Sequence, residues 1–256
     1  MIQTSLDGGV ATIRLASPQT ANALSPQAFV ELREAIERWQ HPASGASVLV
    51  LTGGPAGSVF SAGANLDVLG TTSAADLARQ ITQALLPIQA LLHQGRLPTV
   101  AAVNGPVVGG AIGLVLWFDF VIAARSAKFS FAFSKLGLIP DTGLSATLPR
   151  FVGEARARGW FMSGADVSAD QAQAAGMIFQ TADDPVFEDE VMKIARRLAK
   201  LPSASFALTR KAMNEALMQA LPAQVELEAQ MQAERVTSED FRAAMAEFAQ
   251  RRRGQD

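Results

Sequence analysis

Few side chains in this sequence can move a proton near neutral pH. The chain contains no cysteine and no tyrosine, and its only histidines are His41 and His93. His41 lies in a Gln-His-Pro segment typical of a loop, and His93 ends an apolar helical run, so we expect both at surface or helix-end positions. Acid–base chemistry is then expected to fall mainly to a carboxylate. The absence of cysteine also excludes disulfides, thiolate nucleophiles and cysteine-bound metals.

Asp141 is the carboxylate with the most suggestive surroundings. It lies in the segment Gly-Leu-Ile-Pro-Asp-Thr-Gly at 137–143. Pro-Asp-Thr-Gly is also a common turn sequence, so a structural role in a turn is the alternative interpretation. A second aspartate, Asp67, follows a loop of small residues, where we expect it to be solvated.

Two loops rich in small residues could bring backbone amides close to a ligand. The first reads Phe-Ser-Ala-Gly-Ala-Asn-Leu at 60–66, and the second reads Asn-Gly-Pro-Val-Val-Gly-Gly at 104–110. The second loop opens a predicted helix, whose first amides have no acceptor within the helix. One amide from each loop would make an oxyanion hole. The glycine-rich fingerprints of nucleotide-binding folds and the nucleophile elbow of hydrolases are absent.

The elements that must position these loops alternate between strands and helices. Short apolar runs typical of buried strands occur at 48–51, 99–103 and 119–124, and amphipathic helices are predicted between them. This alternation predicts an α/β fold with parallel crossovers. After Gly143 only helices are predicted, at 154–162, 168–175, 184–200, 203–220, 222–236 and 238–252.

The composition is that of a globular protein with one sizeable core. The 256 residues are 49% apolar and 18% charged, with a formal net charge of −2. Such a chain has no basic field that would attract nucleic acid or a membrane surface. The longest apolar stretch, 107–118, is too short and too rich in glycine for a membrane span. No signal peptide is recognisable at the N-terminus, so we expect a cytoplasmic protein.

Together these segments resemble the enoyl-CoA hydratase/isomerase (crotonase) superfamily. The similarity follows the expected order along essentially the whole chain, through 21–24, 60–66, 102–105, Gly109-Gly110, the strand at Asp119, 136–143 and Ser163-Gly164. The resemblance implies a crotonase-like spiral of ββα units, with 1–195 as the α/β core and 196–256 as a helical region for trimer contacts or a lid. It also implies an acyl-CoA thioester substrate, a homotrimer or hexamer, and no metal or redox cofactor.

The resemblance assigns roles to particular residues. The amides of Ala64 and Gly110 would form the oxyanion hole, and Asp119 would be a strand residue that bridges backbone groups and not a catalyst. Residues along the CoA moiety would be Asn22, Ala23, Leu24, Ala62 and Leu66, with Phe248, Arg251 and Arg252 near the C-terminus. A solvated basic helix end is an equally good interpretation of that C-terminal group.

Two departures from the hydratase pattern favour a different reaction. Hydratases of this superfamily carry glutamates at positions that correspond here to Gly113 and Phe133, and neither residue can transfer a proton. Asp141, in contrast, matches ring-epoxide isomerases of phenylacetyl-CoA breakdown and dienoyl-CoA isomerases. The Leu-Ser-Ala sequence at 144–146 replaces the more usual Gly-Gly-Thr.

We therefore predict an enoyl-CoA isomerase in which Asp141 moves a proton between two carbons of an enolate intermediate. An apolar lining of Trp117, Phe131, Phe133 and Leu144 is expected to raise the pKa of that acid. The alternatives are an enoyl-CoA hydratase and, from another class, a non-catalytic acyl-CoA binding protein.

Overall fold

The computed structural model describes residues 2–65 and 74–216, with Glu239, Ala243 and Gln250 beyond them. The chain forms two compact units, 1–200 and 201–256. The helices predicted at 222–236 and 238–252 lie outside the described residues, as does Asp67. Within the described residues, no helix has the length and apolar character needed to cross a membrane.

The main sheet of the first unit has six strands in the order β1-β2-β3-β4-β6-β9. These strands are β1 (Ile2–Asp7), β2 (Val10–Leu15), β3 (Val48–Thr52), β4 (Thr99–Val103), β6 (Phe120–Ala124) and β9 (Gln180–Ala182). Strands β1 and β2 pair in antiparallel fashion, and each later pair in this sheet is parallel. The parallel α/β arrangement predicted from the alternating pattern is therefore present.

A second sheet of three short strands lies in the same unit. It is formed by β5 (Val107–Val108), β7 (Lys128–Ser130) and β8 (Asp166–Ser168) in that order. The prediction that no strand follows Gly143 was wrong, since β8 and β9 both do. Each has three residues and one buried side chain, which is too short for a period-two pattern to appear in the sequence.

The helices of the first unit alternate with these strands along the chain. They are α1 (Pro26–Gln40), α2 (Ala74–Gln94), α3 (Gly110–Leu116), α4 (Leu144–Val152), α5 (Glu154–Ser163), α6 (Ala169–Ala174) and α7 (Phe187–Ala199). The second unit contributes α8 (Ser203–Glu215). Helix α1 begins where the sequence predicts, because the Ser25 side chain accepts a hydrogen bond from the Ala28 amide and Pro26 occupies the first helical position.

The core positions the loops that follow β3 and β4. Both strands are buried along their whole length, as their continuous apolar sequences predict. They pair in register, so their carboxyl ends stop at the same edge of the sheet. The loop at 53–65 and the loop at 104–109 leave from that edge, side by side.

Candidate active site

Asn104 ties the two loops together at the point where β4 ends. Its side chain is fully buried. The amide oxygen accepts a hydrogen bond of 2.8 Å from the Gly53 amide, and the amide nitrogen donates to the carbonyls of Pro55 at 3.1 Å and Ser58 at 2.6 Å. These bonds replace the solvation that a buried amide side chain would otherwise lose. One side chain therefore links the two loops at three points.

Asn22 does the same for the segment before α1. Its amide nitrogen donates to the carbonyls of Gly53 at 3.1 Å and Val59 at 3.0 Å, and its amide oxygen accepts from the Ser17 amide at 2.8 Å. The family resemblance implies a contact between Asn22 and CoA. In the structure, the oxygen and the nitrogen of this side-chain amide both make hydrogen bonds within the protein. The side chain therefore holds the loops rather than facing a ligand.

Backbone pairing continues from one loop to the next. Leu24 pairs with Ala64, and Ser61 pairs with Val107, each through an isolated parallel bridge. The Ala62 amide also donates to the carbonyl of Ala21 at 2.9 Å. The structure thus brings together four of the residues predicted along the CoA moiety, namely Asn22, Ala23, Leu24 and Ala62. The other members of that group, Leu66, Phe248, Arg251 and Arg252, lie outside the described residues.

The amides of Ala64 and Gly110 stand on neighbouring backbones. Gly63 has a φ of +81°, and a Cβ added to it would lie 2.5 Å from the carbonyl oxygen of Val108, so only glycine permits this approach. Gly110 begins α3, where its N–H has no acceptor within the helix. Among the described residues, neither the Ala64 amide nor the Gly110 amide has a hydrogen-bond acceptor. Two adjacent loops therefore each carry a donor that is free to bind an oxyanion.

The carboxylate of Asp141 lies against Gly110. A Cβ added to Gly110 would stand 2.6 Å from Oδ1 of Asp141 and 2.7 Å from the hydroxyl of Thr142. The Thr142 hydroxyl donates to Oδ1 at 2.8 Å. The sequence-predicted acid and one of the sequence-predicted amides are thus neighbours in space, although 31 positions separate them along the chain.

The surroundings of Asp141 favour its protonated form. Burial of the half-buried side chain raises the pKa of this carboxyl, and hydrogen bonds from Thr142 and from its own amide partly oppose that rise. An acid with a raised pKa can both take up and release a proton at a useful rate. The expected desolvation of Asp141 is present.

The whole chain is similar to a known protein family. The enoyl-CoA hydratase/isomerase family profile matches residues 5–255. The chain belongs to this family. Its crotonase-like fold, expected from the sequence, is confirmed by a solved enoyl-CoA hydratase subunit of Geobacillus kaustophilus HTA426, with a TM-score of 0.90, 30% identity, and coverage of 98% of this chain and 95% of that one.

Two curated relatives carry different names. The 1,2-epoxyphenylacetyl-CoA isomerase of Escherichia coli (strain K12) is 37% identical over 254 residues, which cover 98% of this chain and 96% of the relative. A protein named "Probable enoyl-CoA hydratase" in Rhodobacter capsulatus is also 37% identical, over 98% of this chain and 95% of the relative. Similarity of the whole chain therefore shows an enzyme of this family without distinguishing isomerase from hydratase.

The space at the two positions where family hydratases carry glutamates is taken up by other groups. A Cβ on Gly113 would lie 2.6 Å from the Cβ of Thr142 and 2.7 Å from its carbonyl oxygen. The ring of Phe133 is buried and lies 3.9 Å from where a Cβ on Gly109 would stand. The space for one glutamate is thus filled by the loop that carries Asp141, and an aromatic ring replaces the other.

The apolar residues predicted to line the site divide into two groups. Trp117 lies beside Gly143, its Nε1 4.0 Å from the position of an added Cβ, and Phe133 lies beside Gly109. Phe131, in contrast, packs against α5, with its ring 5.5 Å from that of Trp160 and 5.7 Å from that of Phe161. Leu144 is fully buried at the start of α4. Trp117 and Phe133 therefore lie beside glycines of the two segments that carry Asp141 and Gly110.

The remaining ionisable candidates have structural surroundings. Oδ2 of Asp119 accepts hydrogen bonds from the amide and the hydroxyl of Thr99 at 2.8 and 2.9 Å, which links β4 to the start of β6 as predicted. His41 caps a short turn, and His93 lies in the last turn of α2, bonded to Gln89 at 2.7 Å. Among the described residues, no cluster of three or more potential ligands could hold a metal ion.

Proposed function

We propose that this protein is an enoyl-CoA isomerase that shifts a double bond through a thioester enolate. The observation that carries the proposal is the position of the Asp141 carboxylate against Gly110. A base in that place can reach the carbon next to a thioester whose oxygen is bound by the Gly110 and Ala64 amides. Oxyanion binding of this kind commonly supplies the largest part of the catalysis in such reactions.

The proposed reaction needs one acid–base group. Asp141 removes a proton from one carbon of the substrate, and the electron pair moves onto the thioester oxygen to form the enolate. The same carboxyl then returns the proton two carbons away as the carbonyl re-forms. Proton and electrons balance without a metal or redox cofactor, and the raised pKa of Asp141 supports both the uptake and the return.

The proposed substrates are acyl-CoA thioesters with an aromatic or ring-derived acyl group. The relative named 1,2-epoxyphenylacetyl-CoA isomerase, at 37% identity, supports this choice. The aromatic side chains of Trp117 and Phe133, which lie beside Gly143 and Gly109, also support it. We propose that Ala23, Leu24 and Ala62 contact the CoA moiety, that Leu66, Phe248 and Arg251 complete that contact, and that the protein works in the cytoplasm.

The second candidate is hydration of a 2-enoyl-CoA, which the hydratase name of a 37% identical relative favours. Hydration requires one group to activate water and another to protonate the α-carbon. Gly113 and Phe133 supply neither, and the contact between Gly113 and Thr142 leaves no room for a side chain at 113. We therefore rank hydration below isomerisation.

Paired substrates separate the candidates. The purified protein is given a 3-enoyl-CoA and the matching 2-enoyl-CoA, and products are analysed by mass spectrometry. Isomerisation interconverts the two without a change of mass, whereas hydration adds one water. Rapid formation of the 3-hydroxyacyl-CoA contradicts the proposal, and CoA binding without turnover of any enoyl-CoA indicates a non-catalytic binding protein.

A further inference from the structure

The side chain of Thr142 is a part of the site to which the proposed reaction gives no role. It is buried, and its hydroxyl donates to Oδ1 of Asp141 at 2.8 Å. No other side chain among the described residues donates a hydrogen bond to this carboxylate. The two carboxylate oxygens of Asp141 are therefore unequal, since only Oδ1 is held by a neighbouring side chain.

The backbone of Thr142 adopts an unusual conformation that fixes this hydroxyl. Its φ is +52°, in the left-handed region that β-branched residues seldom occupy. The two glycines that α3 presents three positions apart leave the space that Thr142 occupies. A Cβ on Gly110 would meet the hydroxyl at 2.7 Å, and a Cβ on Gly113 would meet the Thr142 Cβ at 2.6 Å.

We propose that Thr142 is the positioning residue for Asp141, an inference that rests on the proposed isomerase function. Its hydroxyl holds Oδ1, so that Oδ2 is the oxygen that takes the proton from substrate and returns it. Because a hydrogen bond to a carboxylate is stronger than one to a neutral acid, the same hydroxyl also opposes the effect of burial and favours the ionised form that accepts the proton. Gly110 and Gly113 serve this arrangement by leaving room for Thr142.

Burial raises the pKa of Asp141, and the Thr142 hydroxyl is the main group that lowers it, because no charged side chain in the described part of the chain contributes. Helix α3 contains no titratable residue. In the segment before Asp141, the Lys135 ammonium lies 3.6 Å from a carboxylate oxygen of Asp166, and in α4 the Arg150 side chain is exposed. Among the described residues, none of these charges contributes to the pKa of Asp141, which burial raises and hydrogen bonding lowers. Removing the hydroxyl should therefore move that pKa upward.

The test compares Thr142→Val with Thr142→Ser. Valine keeps the shape and loses the donor, so the acidic limb of the kcat/KM profile should move upward by about one to two pH units, as expected for a lost hydrogen bond to a charged group. Serine restores the donor and should return the limb to its wild-type position. Thr147→Val is the matched control, because the Thr147 hydroxyl donates to the Gly143 carbonyl at 3.0 Å and not to the carboxylate.

The outcomes distinguish this inference from the function on which it rests. Turnover by Asp141→Asn at the wild-type rate contradicts the isomerase proposal itself. A slow Asp141→Asn combined with an unmoved acidic limb in Thr142→Val overturns only the role of Thr142. If valine at a positive φ prevents folding, Thr142→Gly removes the hydroxyl and relieves the backbone, and the same upward shift is required of it.

Discussion

Oδ1 of Asp141 lies 2.6 Å from the point where a Cβ on Gly110 would stand. The residue whose amide is proposed to bind the oxyanion is thus also the residue that makes room for the base. Any side chain at 110 changes both groups at once. An experiment on the oxyanion hole must therefore separate the lost amide from the displaced carboxylate.

Gly110→Pro and Gly110→Ala together make that separation. Both add a Cβ against Asp141, but only proline removes the amide donor. Loss of one oxyanion donor typically lowers kcat by about 10²–10³, so we expect proline to be slower than alanine by that factor. Proline is tolerated at the first position of a helix, so α3 should still form. Equal rates for the two variants at substrate saturation would place the oxyanion hole elsewhere.

Asp141→Asn tests the base. Asparagine keeps the shape of the side chain and removes its ability to accept the proton, so isomerisation should fall by about 10²–10⁴. CoA binding, measured by calorimetry, should change little. A variant that keeps its turnover but loses thermal stability would instead support the interpretation of Asp141 as a structural turn residue.

The same variant makes a prediction about stability and pH. Burial raises the pKa of Asp141, so folding favours the protonated acid. The stability that protonated Asp141 contributes to the folded protein is fully present below the unfolded pKa of about 3.9. It is lost as the pH rises through the higher folded pKa. The substituted asparagine carries no charge at any pH. The thermal midpoint of Asp141→Asn, relative to the wild type, should therefore improve as the pH rises above about 4.

Asp184→Asn is the control of opposite sign. The pKa of Asp184 is lowered by hydrogen bonding to Ser126, so its contribution to stability is present above the unfolded pKa and lost as the pH falls through the folded one. Its asparagine variant should become relatively less stable as the pH rises. The same trend in both variants would contradict the assignment for Asp141.

Gly113→Ala measures how tightly the Asp141 loop is packed on α3. The added Cβ would lie 2.7 Å from the carbonyl oxygen of Thr142, so we expect a loss of about 1–3 kcal/mol in the free energy of unfolding and a reduced kcat. Gly159→Ala is the matched control, because this helical glycine has open space around it and alanine there should gain up to about 1 kcal/mol. Denaturant unfolding of both variants gives the comparison. An unchanged free energy of unfolding in Gly113→Ala would show that the loop adjusts to the added Cβ at little cost.

Apolar surface predicts association of several copies of the chain. Ile139 is 80% exposed and Met162 75% exposed in the first unit, and Met213 of α8 is 67% exposed. In the sequence, Met213 begins an apolar stripe at helical spacing, whose other members at 217, 221 and 225 lie outside the described residues. Exposed apolar residues mark a protein interface where they form one contiguous patch, and the crotonase resemblance, which implies a homotrimer or hexamer, predicts such a patch here. Light scattering should give three or six times the 27.1 kDa of one chain, and a monomer at micromolar concentration would contradict this prediction.

Local sequence patterns predicted the elements that their own residues determine. Continuous apolar runs placed β3 and β4, and the Ser25-Pro26 pair placed the start of α1. The short strands β8 and β9 escaped prediction because three residues hold too little pattern, and they form only where a neighbouring strand accepts them. A short stretch of sequence does not reveal which distant residues its strand will pair with.

The candidate site shows the same division. Family resemblance identified Asp141, Ala64 and Gly110, and the structure places Asp141 directly against Gly110. The resemblance did not reveal Thr142, whose importance arises from a left-handed backbone fitted to glycines some 30 positions earlier in the chain. Nor did the resemblance show that the Asn22 side chain joins the loops. The residue type alone does not reveal whether an asparagine binds backbone carbonyls or a ligand.

The contact between Thr142 and Gly113 restricts the order in which mutations can accumulate. A variant with glutamate at 113 would meet the Thr142 carbonyl and displace the loop that carries Asp141. The loop at 141–143 has to change before the glutamate becomes tolerable. A glutamate therefore cannot be introduced at 113 by a single substitution without disturbing the backbone of Thr142, a residue that need not touch a substrate at all.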